Sequence, residues 1–525
     1  MTTTLFLFHP HLYKYQHIYL WVDLTVSLDH LNSLRRIKLL EDFSVSEIID
    51  HNQNGLYKDK SLEFIVFIIL VFIILIVFKL IKEKEVVQVP QLKKPNIIFI
   101  MADDLGYADL GCYGQKIIQT PNIDKLAKEG MRFTQAYSGS SVCAPARSVL
   151  MTGMHTGHTR VRGNFGLGGV KGLAGIDGRI PLMEEDITVA EVLKNVGYQT
   201  GMIGKWGLGE PNTEGEPNSQ GFDEFYGFLN QRRAHSYYPD YVWKNRKKAM
   251  LIGNSDGNRK DYTHDIFANE AIEFIDRNQN NPFFLYLPLC IPHSNYELPD
   301  LGAYKHQQWE ADAKAYAAMI SLMDVTVGRI MQKLKESYID ENTVVFFTSD
   351  NGAAESSQIW KLFESNAPLR GVKRDPYEGG IRVPMIVRYP NVIAQGAISD
   401  LPWYFADVLP TLAELSGAQI PVSIDGTSVL ATLKGGKQDL SNRNMYWEFY
   451  EKDGWRAARF GDWKAIQRGM HIKDHQPIEI YNINNDIGET NNLAGKYPGL
   501  VEKAKQIFEE SHIPSEHYAW KYLKK

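Results

Sequence analysis

The sequence predicts an α/β fold in which a mostly parallel β-sheet is flanked by helices, joined to a smaller C-terminal part with an antiparallel sheet and a helix. Short apolar segments rich in β-branched and aromatic residues alternate with helical patterns along most of the chain. Beyond about residue 425 the pattern changes to closely spaced strand-like segments. The chain has 525 residues, of which 44% are hydrophobic, so it is long enough for more than one domain.

The predicted elements of the main sheet are read from apolar runs and from helix boundary signals. Thr120 and Pro121 predict a helix start and Gly130 its end, whereas Thr188 predicts the start of another helix that ends near Gly197. A long helix is predicted for 309–336. The predicted strands of the main sheet are 96–101, 200–203, 282–289 and 343–348. The predicted C-terminal elements are strands at 446–450, 456–460 and 463–466 and a helix at 499–511.

The N-terminal segment differs from the rest of the chain. Residues 62–81 read LEFIVFIILVFIILIVFKLI, and about 20 apolar residues span a bilayer as a helix. We therefore expect a single transmembrane anchor there, with a signal-like segment as the alternative. The expected domains are a segment of unknown role at 1–61, the anchor, a lysine-rich stem at 82–94, a catalytic domain at 95–424 and a C-terminal subdomain at 425–525.

Charge and cysteine content exclude some classes of protein. The formal net charge is -5, and no block of Lys and Arg of the kind that binds phosphate backbones is present, so no nucleic-acid partner is expected. The three cysteines, Cys112, Cys143 and Cys290, are too few for a disulfide framework. Each thiol therefore has to be considered individually.

Acidic residues follow two of the predicted strands. The run IIFIMADD ends in Asp103 and Asp104, and VVFFTSDN ends in Asp350 and Asn351. Sites in parallel sheets lie at the carboxyl ends of strands, and four such oxygen ligands suit calcium or magnesium. Carboxylates in loops also cap helices or face water, so one pair alone would be weak support.

A third motif places a cysteine at a helix start. In SVCAPARSVLMTG, Cys143, Pro145 and Arg147 are spaced as C-x-P-x-R before an apolar helical run. Pro145 suits a first helical turn, which puts Cys143 where backbone N–H groups favour an anion. The alternative is a buried structural thiol, but Arg147 favours a functional site.

These motifs resemble the type I sulfatases of the alkaline phosphatase-like superfamily, and within them arylsulfatase A-like and N-acetylgalactosamine-6-sulfatase-like members. The resemblance extends from about residue 95 to about residue 514 and implies an alkaline phosphatase-like fold and a sulfuric ester hydrolase. It is carried by the blocks PNIIFIMADDLGYADLGCYG, TPNIDKLAKEGMRFTQAYS, CAPARSVLMTG, GYQTGMIGKWGLG, SNAPLRGVKRDPYEGGIRVP and YNINNDIGETNNLA.

The resemblance implies that Cys143 is oxidised by a formylglycine-generating enzyme to formylglycine, whose hydrate attacks the sulfur of a sulfate ester. A serine could attack once but would remain as its sulfate ester, whereas two oxygens on one carbon allow sulfate to leave. The implied cofactor is one Ca²⁺ per chain. Its implied ligands are Asp103, Asp104, Asp350, Asn351 and the modified Cys143.

The same resemblance implies roles for cationic side chains. Arg147 would hold the formylglycine and neutralise the carboxylates. Lys205 and Lys373 would bind sulfate oxygens as charge develops in the transition state, although surface lysines are the plain alternative. His293 would protonate the leaving alcohol, and Asp350 is a candidate to take the proton of the diol.

One position departs from the family pattern. Many sulfatases have a histidine two residues after the first lysine, whereas this chain has Gly207 in GKWGLG. Asp350, another histidine or water must then remove the proton that frees sulfate. We expect His235, in RRAHSYYP, to be a site residue, and we expect His155 and His158 to be structural.

Two alternative functions remain open at this stage. Phosphonate monoester and phosphodiester hydrolases of the superfamily use the same C-x-P-x-R nucleophile, and a membrane-tethered protein could bind sulfated glycans without turnover. The substrate class expected is a sulfated carbohydrate or an aryl sulfate. The expected location is a single-pass membrane protein with a lumenal or extracellular catalytic domain.

Overall fold

The computed structural model describes residues 94–172, 178–355 and 359–521, together with Ile68 and Val71. Residues Gln91–Lys525 form one compact unit. Within the described residues, the strands form a ten-stranded mixed sheet, a two-stranded sheet and a four-stranded antiparallel sheet. The strands are β1 (Asn96–Ala102), β2 (Met131–Phe133), β3 (Ala136–Tyr137), β4 (Gln199–Lys205), β5 (Glu224–Phe228), β6 (Tyr241–Lys244), β7 (Lys247–Met250), β8 (Phe283–Pro288), β9 (Thr343–Ser349), β10 (Met385–Arg388), β11 (Ala397–Ser399), β12 (Trp403–Tyr404), β13 (Asn444–Phe449), β14 (Trp455–Phe460), β15 (Trp463–Arg468) and β16 (Glu479–Asn482).

Helices cover both faces of the large sheet. Two of their starts follow from the local sequence: Pro121 occupies the first turn of α1, and Thr188 forms a reciprocal capping box with Glu191 at the start of α3. The α-helices are α1 (Pro121–Glu129), α2 (Cys143–Thr152), α3 (Val189–Lys194), α4 (Thr263–Asn278), α5 (Ala311–Glu336), α6 (Ile359–Leu362), α7 (Glu378–Ile381), α8 (Val408–Ser416), α9 (Leu430–Leu433) and α10 (Pro498–Glu510).

The large sheet has the order β11-β2-β10-β9-β1-β8-β4-β5-β6-β7. Its central strands β9, β1, β8, β4 and β5 are parallel to their neighbours within this group. Antiparallel pairs join β10 to β9, β6 to β5 and β7 to β6. Strand β1 therefore lies in the middle, with β9 on one side and β8 on the other. The carboxyl ends of these strands meet at one edge of the sheet, where parallel α/β proteins place their sites.

Alternation along β1 shows why the sheet is buried on both faces. Ile97 and Phe99 belong to one apolar core, and Ile98 and Ile100 belong to the core on the opposite face. All seven residues of β1 are buried, as expected for a parallel strand covered by helices on both sides. The predicted α/β class is confirmed.

The C-terminal antiparallel sheet is also confirmed, and it contains one strand that the sequence did not reveal. Strands β13, β14 and β15 match the predicted segments to within a few residues, whereas β16 has only four residues and no long apolar run. One face of this sheet packs on α10 through Phe460 and Phe508. The other face joins the core of the main body through Trp447.

The expected transmembrane anchor has to be corrected. Among the described residues, no helix is both long enough and apolar enough to span a membrane. The 26-residue helix α5, for example, carries Asp324 and Arg329 within its length. We withdraw the anchor, the membrane partner and the single-pass location with a lumenal or extracellular catalytic domain. Segment 62–81 itself lies outside the described residues except for Ile68 and Val71.

Candidate active site

The acidic pairs that follow β1 and β9 lie side by side. Because these strands pair in parallel with Ala102 opposite Ser349, the residues after them meet at the sheet edge. The backbone N–H of Asp104 donates to Asp350 Oδ1 (3.1 Å), and Asn351 Nδ2 donates to Asp104 Oδ1 (2.8 Å). The four predicted oxygen ligands, Asp103, Asp104, Asp350 and Asn351, are all buried.

Cys143 is the first residue of α2 and faces this cluster. Its thiol donates to Asp103 Oδ1 at 3.5 Å, and Lys373 Nζ lies 3.5 Å from its Sγ. Burial raises the pKa of the Cys143 thiol to about 12. The unmodified thiol is therefore protonated at neutral pH and is a poor nucleophile.

Arg147, one turn further along α2, bridges the two sides of the cluster. Its Nη2 donates to Asp350 Oδ2 at 2.8 Å and lies 3.9 Å from Asp103 Oδ1. Its Nη1 donates to the carbonyl oxygen of Lys205 at 2.5 Å. The C-x-P-x-R spacing thus places the cysteine and the guanidinium on the same side of one buried helix.

Two lysines from distant parts of the chain complete the charge balance. Lys205, at the end of β4, donates to Asp103 Oδ2 at 2.6 Å, and Lys373 donates to both oxygens of Asp104 at 2.5 and 2.7 Å. Burial alone would lower the pKa of Lys373, but the charge of Asp104 raises it above the usual range. Burial would raise the pKa of Asp104, but Lys373 and then His293 hold it well below the usual range.

Two histidines line the same pocket. The rings of His235 and His293 stack with centroids 3.7 Å apart, and His293 Nε2 lies 3.4 Å from Asp104 Oδ2. Burial lowers the pKa of His293 to about 3, and burial followed by the charge of Lys205 lowers the pKa of His235 below its usual range. Both rings are therefore neutral at pH 7 when no anion is bound.

His155 and His158 are not among the residues that line this pocket. His158 Nδ1 lies 2.8 Å from Asp425 Oδ1, and the backbone N–H of His155 donates to Asp425 Oδ2. His155 Nδ1 accepts from the backbone N–H of Gly157. These contacts tie the end of α2 to the segment around Asp425.

The donor set fits a hard divalent cation. Three buried carboxylates converge, and Asn351 Oδ1 is buried without a hydrogen-bond partner among the described residues, although such atoms in native proteins almost always have one. Asp103, Asp104, Cys143 and His293 each offer a ligand atom within 4.8 Å of the others. Oxygen donors of this type are those that calcium and magnesium take. The three carboxylates are balanced by Arg147, Lys205 and Lys373, so a divalent ion would make the cluster positive and attract an anion.

Burial also affects the pKa of Asp350, the third carboxylate of the cluster. Burial and then the negative charge of Asp103 raise the pKa of Asp350 to about 6. The guanidinium of Arg147 and the ammonium of Lys205 oppose this shift. A positive charge added between these carboxylates would favour their ionised forms.

A pocket of about 440 Å³ opens above the cluster. Its wall includes residues that the sequence did not indicate, and Gln231 is the most buried of these, at 4% exposure. No sequence signal indicated Gln231 itself, but it packs against Gly207, the position singled out in the sequence: a Cβ there would lie 2.7 Å from Gln231 Cγ. The lining residues are Asp104, Cys143, Asn164, Gln231, His235, His293, Ser294, Ala354, Glu355, Lys373 and Arg374.

Comparisons with known proteins give a consistent result. The model of the family described as Sulfatase matches residues 95–418, and a model described as N-sulphoglucosamine sulphohydrolase, C-terminal, matches residues 372–511. Arylsulfatase A of Homo sapiens is 31% identical over 463 residues, covering 79% of this chain and 87% of that protein. N-acetylgalactosamine-6-sulfatase of Homo sapiens is 32% identical over 392 residues, covering 71% of each chain. The crystal structure of Ps i-CgsB in complex with k-i-k-neocarrahexaose aligns with a TM-score of 0.70 at 31% identity, covering 80% of this chain and 93% of that chain.

Proposed function

The chain belongs to the sulfatase family and is a sulfatase enzyme, and we propose that it hydrolyses sulfate monoesters of carbohydrates through a formylglycine made from Cys143. The observation that carries this proposal is the convergence of Cys143 with three buried carboxylates and three buried cations at one sheet edge. As its hydrate, formylglycine would supply two hydroxyl groups on one carbon, one to attack sulfur and one to release sulfate.

We propose Asp103, Asp104, Asp350, Asn351 and the modified Cys143 as the residues that hold one calcium ion, which would supply positive charge to sulfate and to the nucleophile's oxygen. The support is the buried set of oxygen donors with the unsatisfied Asn351 Oδ1. Arg147 holds Asp350 through a 2.8 Å contact. The carboxylate of Asp350 therefore stays at the sheet edge and can accept a proton from the nucleophile.

Lys205 and Lys373 bind the sulfate group in this proposal. Each ammonium is held by one aspartate, at 2.6 Å for Lys205 and at 2.5 Å for Lys373, and each has donors beyond those used by that aspartate. Fixed charges of this kind stabilise the transition state because they need no reorganisation as negative charge develops.

We propose His293 as the group that protonates the leaving alcohol. It lies against Lys373, with Nε2 3.2 Å from Nζ, and it lines the pocket. A bound sulfate favours the protonated ring, because an anion raises the pKa of a neighbouring histidine. His235 would position His293 through the stacked rings.

The substrate class is supported by the pocket wall. Glu355, Arg374, Ser294 and Asn164 supply polar and charged groups around the opening, which suit the hydroxyls of a sugar better than an aromatic ring. A relative of known structure is named as a complex with k-i-k-neocarrahexaose. We also propose a division near residue 424/425 between the catalytic part and the C-terminal part, because the antiparallel sheet begins soon after, at Asn444.

The test compares esters of the same alcohol. Purified protein with oxidised Cys143 should hydrolyse a sulfated sugar or an aryl sulfate faster than the matching phosphate or phosphonate ester, and chelation followed by calcium should remove and restore turnover. Faster hydrolysis of the phosphate or phosphonate ester would contradict the proposed substrate class. Turnover that resists chelation would contradict the calcium site.

A further inference from the structure

Gln231 has no role in the chemistry described above, yet its surroundings indicate one. The side chain is 4% exposed, and its Nε2 has no hydrogen-bond partner among the described residues. It lines the same pocket as Cys143, His293 and Lys373. Buried amide groups in native proteins almost always find a partner, so a group that enters this pocket is the natural candidate.

Gly207 explains how Gln231 reaches this position. A Cβ at Gly207 would lie 2.7 Å from Gln231 Cγ and 2.7 Å from its Nε2, distances that atoms of a real side chain do not adopt. Gly207 also has a φ of +84°, a conformation that glycine adopts without strain. The Gln231 amide can therefore occupy this position only because residue 207 has no side chain.

The position of this amide relative to the reacting group follows from the chain. Gly207 comes two residues after Lys205, whose ammonium donates to Asp103. The thiol of Cys143 donates to the same carboxylate. Gln231 is buried, packs on Gly207 and lines the pocket together with Cys143, which favours a contact with the group that reacts at Cys143.

We propose that the side-chain amide of Gln231 binds the sulfate group of the substrate by donating a hydrogen bond to one of its oxygens. This inference rests on the proposed function and adds a neutral donor to the charged ones. An amide presents a donor and an acceptor end of nearly equal size, and rotation about the last bond exchanges them. Because the amide of Gln231 does not titrate, its role is limited to binding sulfate, and it takes no part in proton transfer.

The experiment compares Gln231→Ala and the isosteric Gln231→Glu with the wild type. We measure kcat/KM for an aryl sulfate, the inhibition constant of inorganic sulfate, and thermal stability. Gln231→Ala should lower kcat/KM by about ten-fold or more and weaken sulfate inhibition by a similar factor, as expected for a lost hydrogen bond to a charged group. Gln231→Glu should have a larger effect, because a carboxylate repels sulfate while keeping the shape of the side chain.

Two further variants make the result decisive. Gly207→Ala should also weaken sulfate inhibition, because its methyl group displaces the Gln231 side chain. Gln307→Glu, an exposed position, controls for the added negative charge and should leave both constants unchanged. Wild-type sulfate inhibition retained in folded Gln231→Ala and Gln231→Glu would overturn the proposal; if kcat/KM fell without any change in sulfate inhibition, Gln231 would contact the alcohol part instead. If the wild-type enzyme with oxidised Cys143 fails to hydrolyse sulfate esters, the proposed function fails instead.

Discussion

Two buried clusters of charge in this chain contain the same kinds of residues and differ in what they leave unsatisfied. The first is the active-site cluster of Asp103, Asp104, Asp350, Arg147, Lys205 and Lys373. The second, here called the Glu378 network, consists of Glu378 on α7, Glu489, Lys464 on β15, and Arg382. Its Lys464 lies 2.9 Å from both glutamates, and Arg382 lies 3.1 Å from Glu378.

Every carboxylate oxygen of the Glu378 network has a protein cation or donor close by: Glu489 Oε1 accepts no hydrogen bond among the described residues, but it lies 2.9 Å from the ammonium of Lys464. Tyr137 donates to Glu378 Oε2 at 2.7 Å, and the backbone N–H of Glu378 donates to Glu489 Oε2 at 2.6 Å. In the active-site region, by contrast, His235 Nε2 and Gln231 Nε2 are buried with neither a hydrogen-bond partner nor an ion-pair partner among the described residues, and both residues line the pocket. Buried charge alone therefore does not mark a site, whereas unsatisfied polar atoms that face a pocket do.

The largest expected effect separates activity from stability at the active-site cluster. Cys143→Ala should lower kcat by at least about 10³-fold, because no unmodified side chain supplies two hydroxyl groups on one carbon. The melting temperature should change little, since a small buried side chain is replaced by a slightly smaller one. Steady-state kinetics and thermal unfolding check this, with Cys112→Ala as the control that keeps its activity. Activity retained in Cys143→Ala would remove the basis of the proposed mechanism.

In the Glu378 network, by contrast, a substitution should lower stability and leave activity unchanged. Lys464→Met leaves Glu378 and Glu489 buried without their shared cation, so the free energy of unfolding should fall by about 3–5 kcal/mol. The kcat/KM of the protein that remains folded should stay unchanged. Denaturant unfolding checks this, and Lys505→Met at an exposed pair with Glu502 is the matched control, with an expected change within about 0.5 kcal/mol. A Lys464→Met protein of wild-type stability would show that the network is not structural.

A smaller effect on activity is expected from one sulfate-binding lysine. Lys373→Ala should lower kcat/KM by about 10²–10³-fold, the size typical of a lost transition-state donor. The Lys373→Ala variant should lose less stability with calcium present than after chelation, because bound calcium neutralises the charge of Asp104. Kinetics and unfolding with and without calcium check both parts, and Lys125→Ala at an exposed position controls for the loss of a cation. Equal destabilisation in both conditions would contradict a shared role of Lys373 and the ion at Asp104.

The smallest expected effect is the contribution of the ion to folding. Calcium at about 100 times its dissociation constant should stabilise the wild type by about 2.7 kcal/mol, and chelation should remove that increment. Asp104→Asn should show a much smaller calcium-dependent shift in melting temperature. The same melting temperature for the wild type with calcium and with chelator would count against the calcium site.

The sequence predicted the parts of this site that depend on local signals. Asp103 and Asp350 follow apolar strands, and parallel strands end at one edge, so their meeting could be foreseen. Cys143 and Arg147 are four residues apart on one helix, which fixes their common side. The resemblance to sulfatases supplied Lys205 and Lys373, which no local pattern distinguishes from surface lysines.

The sequence did not reveal features that depend on tertiary packing. Gln231 carries no motif, and its importance follows from the volume that it shares with Gly207. Strand β16 has four residues and is defined by its pairing with β15, so its own pattern was too short. The apolar run at 62–81 suggested an anchor from hydropathy alone, and the described part of the chain contains no helix able to span a membrane.

The proposed mechanism requires an aldehyde at position 143 in the active protein. Mass spectrometry of the proteolytic peptide that contains Cys143, taken from purified protein of measured turnover, detects this aldehyde. We expect the mass of formylglycine at position 143 in a fraction of molecules that tracks the specific activity. Full sulfate-ester hydrolysis by protein in which that residue is entirely an unmodified cysteine would contradict the proposed mechanism.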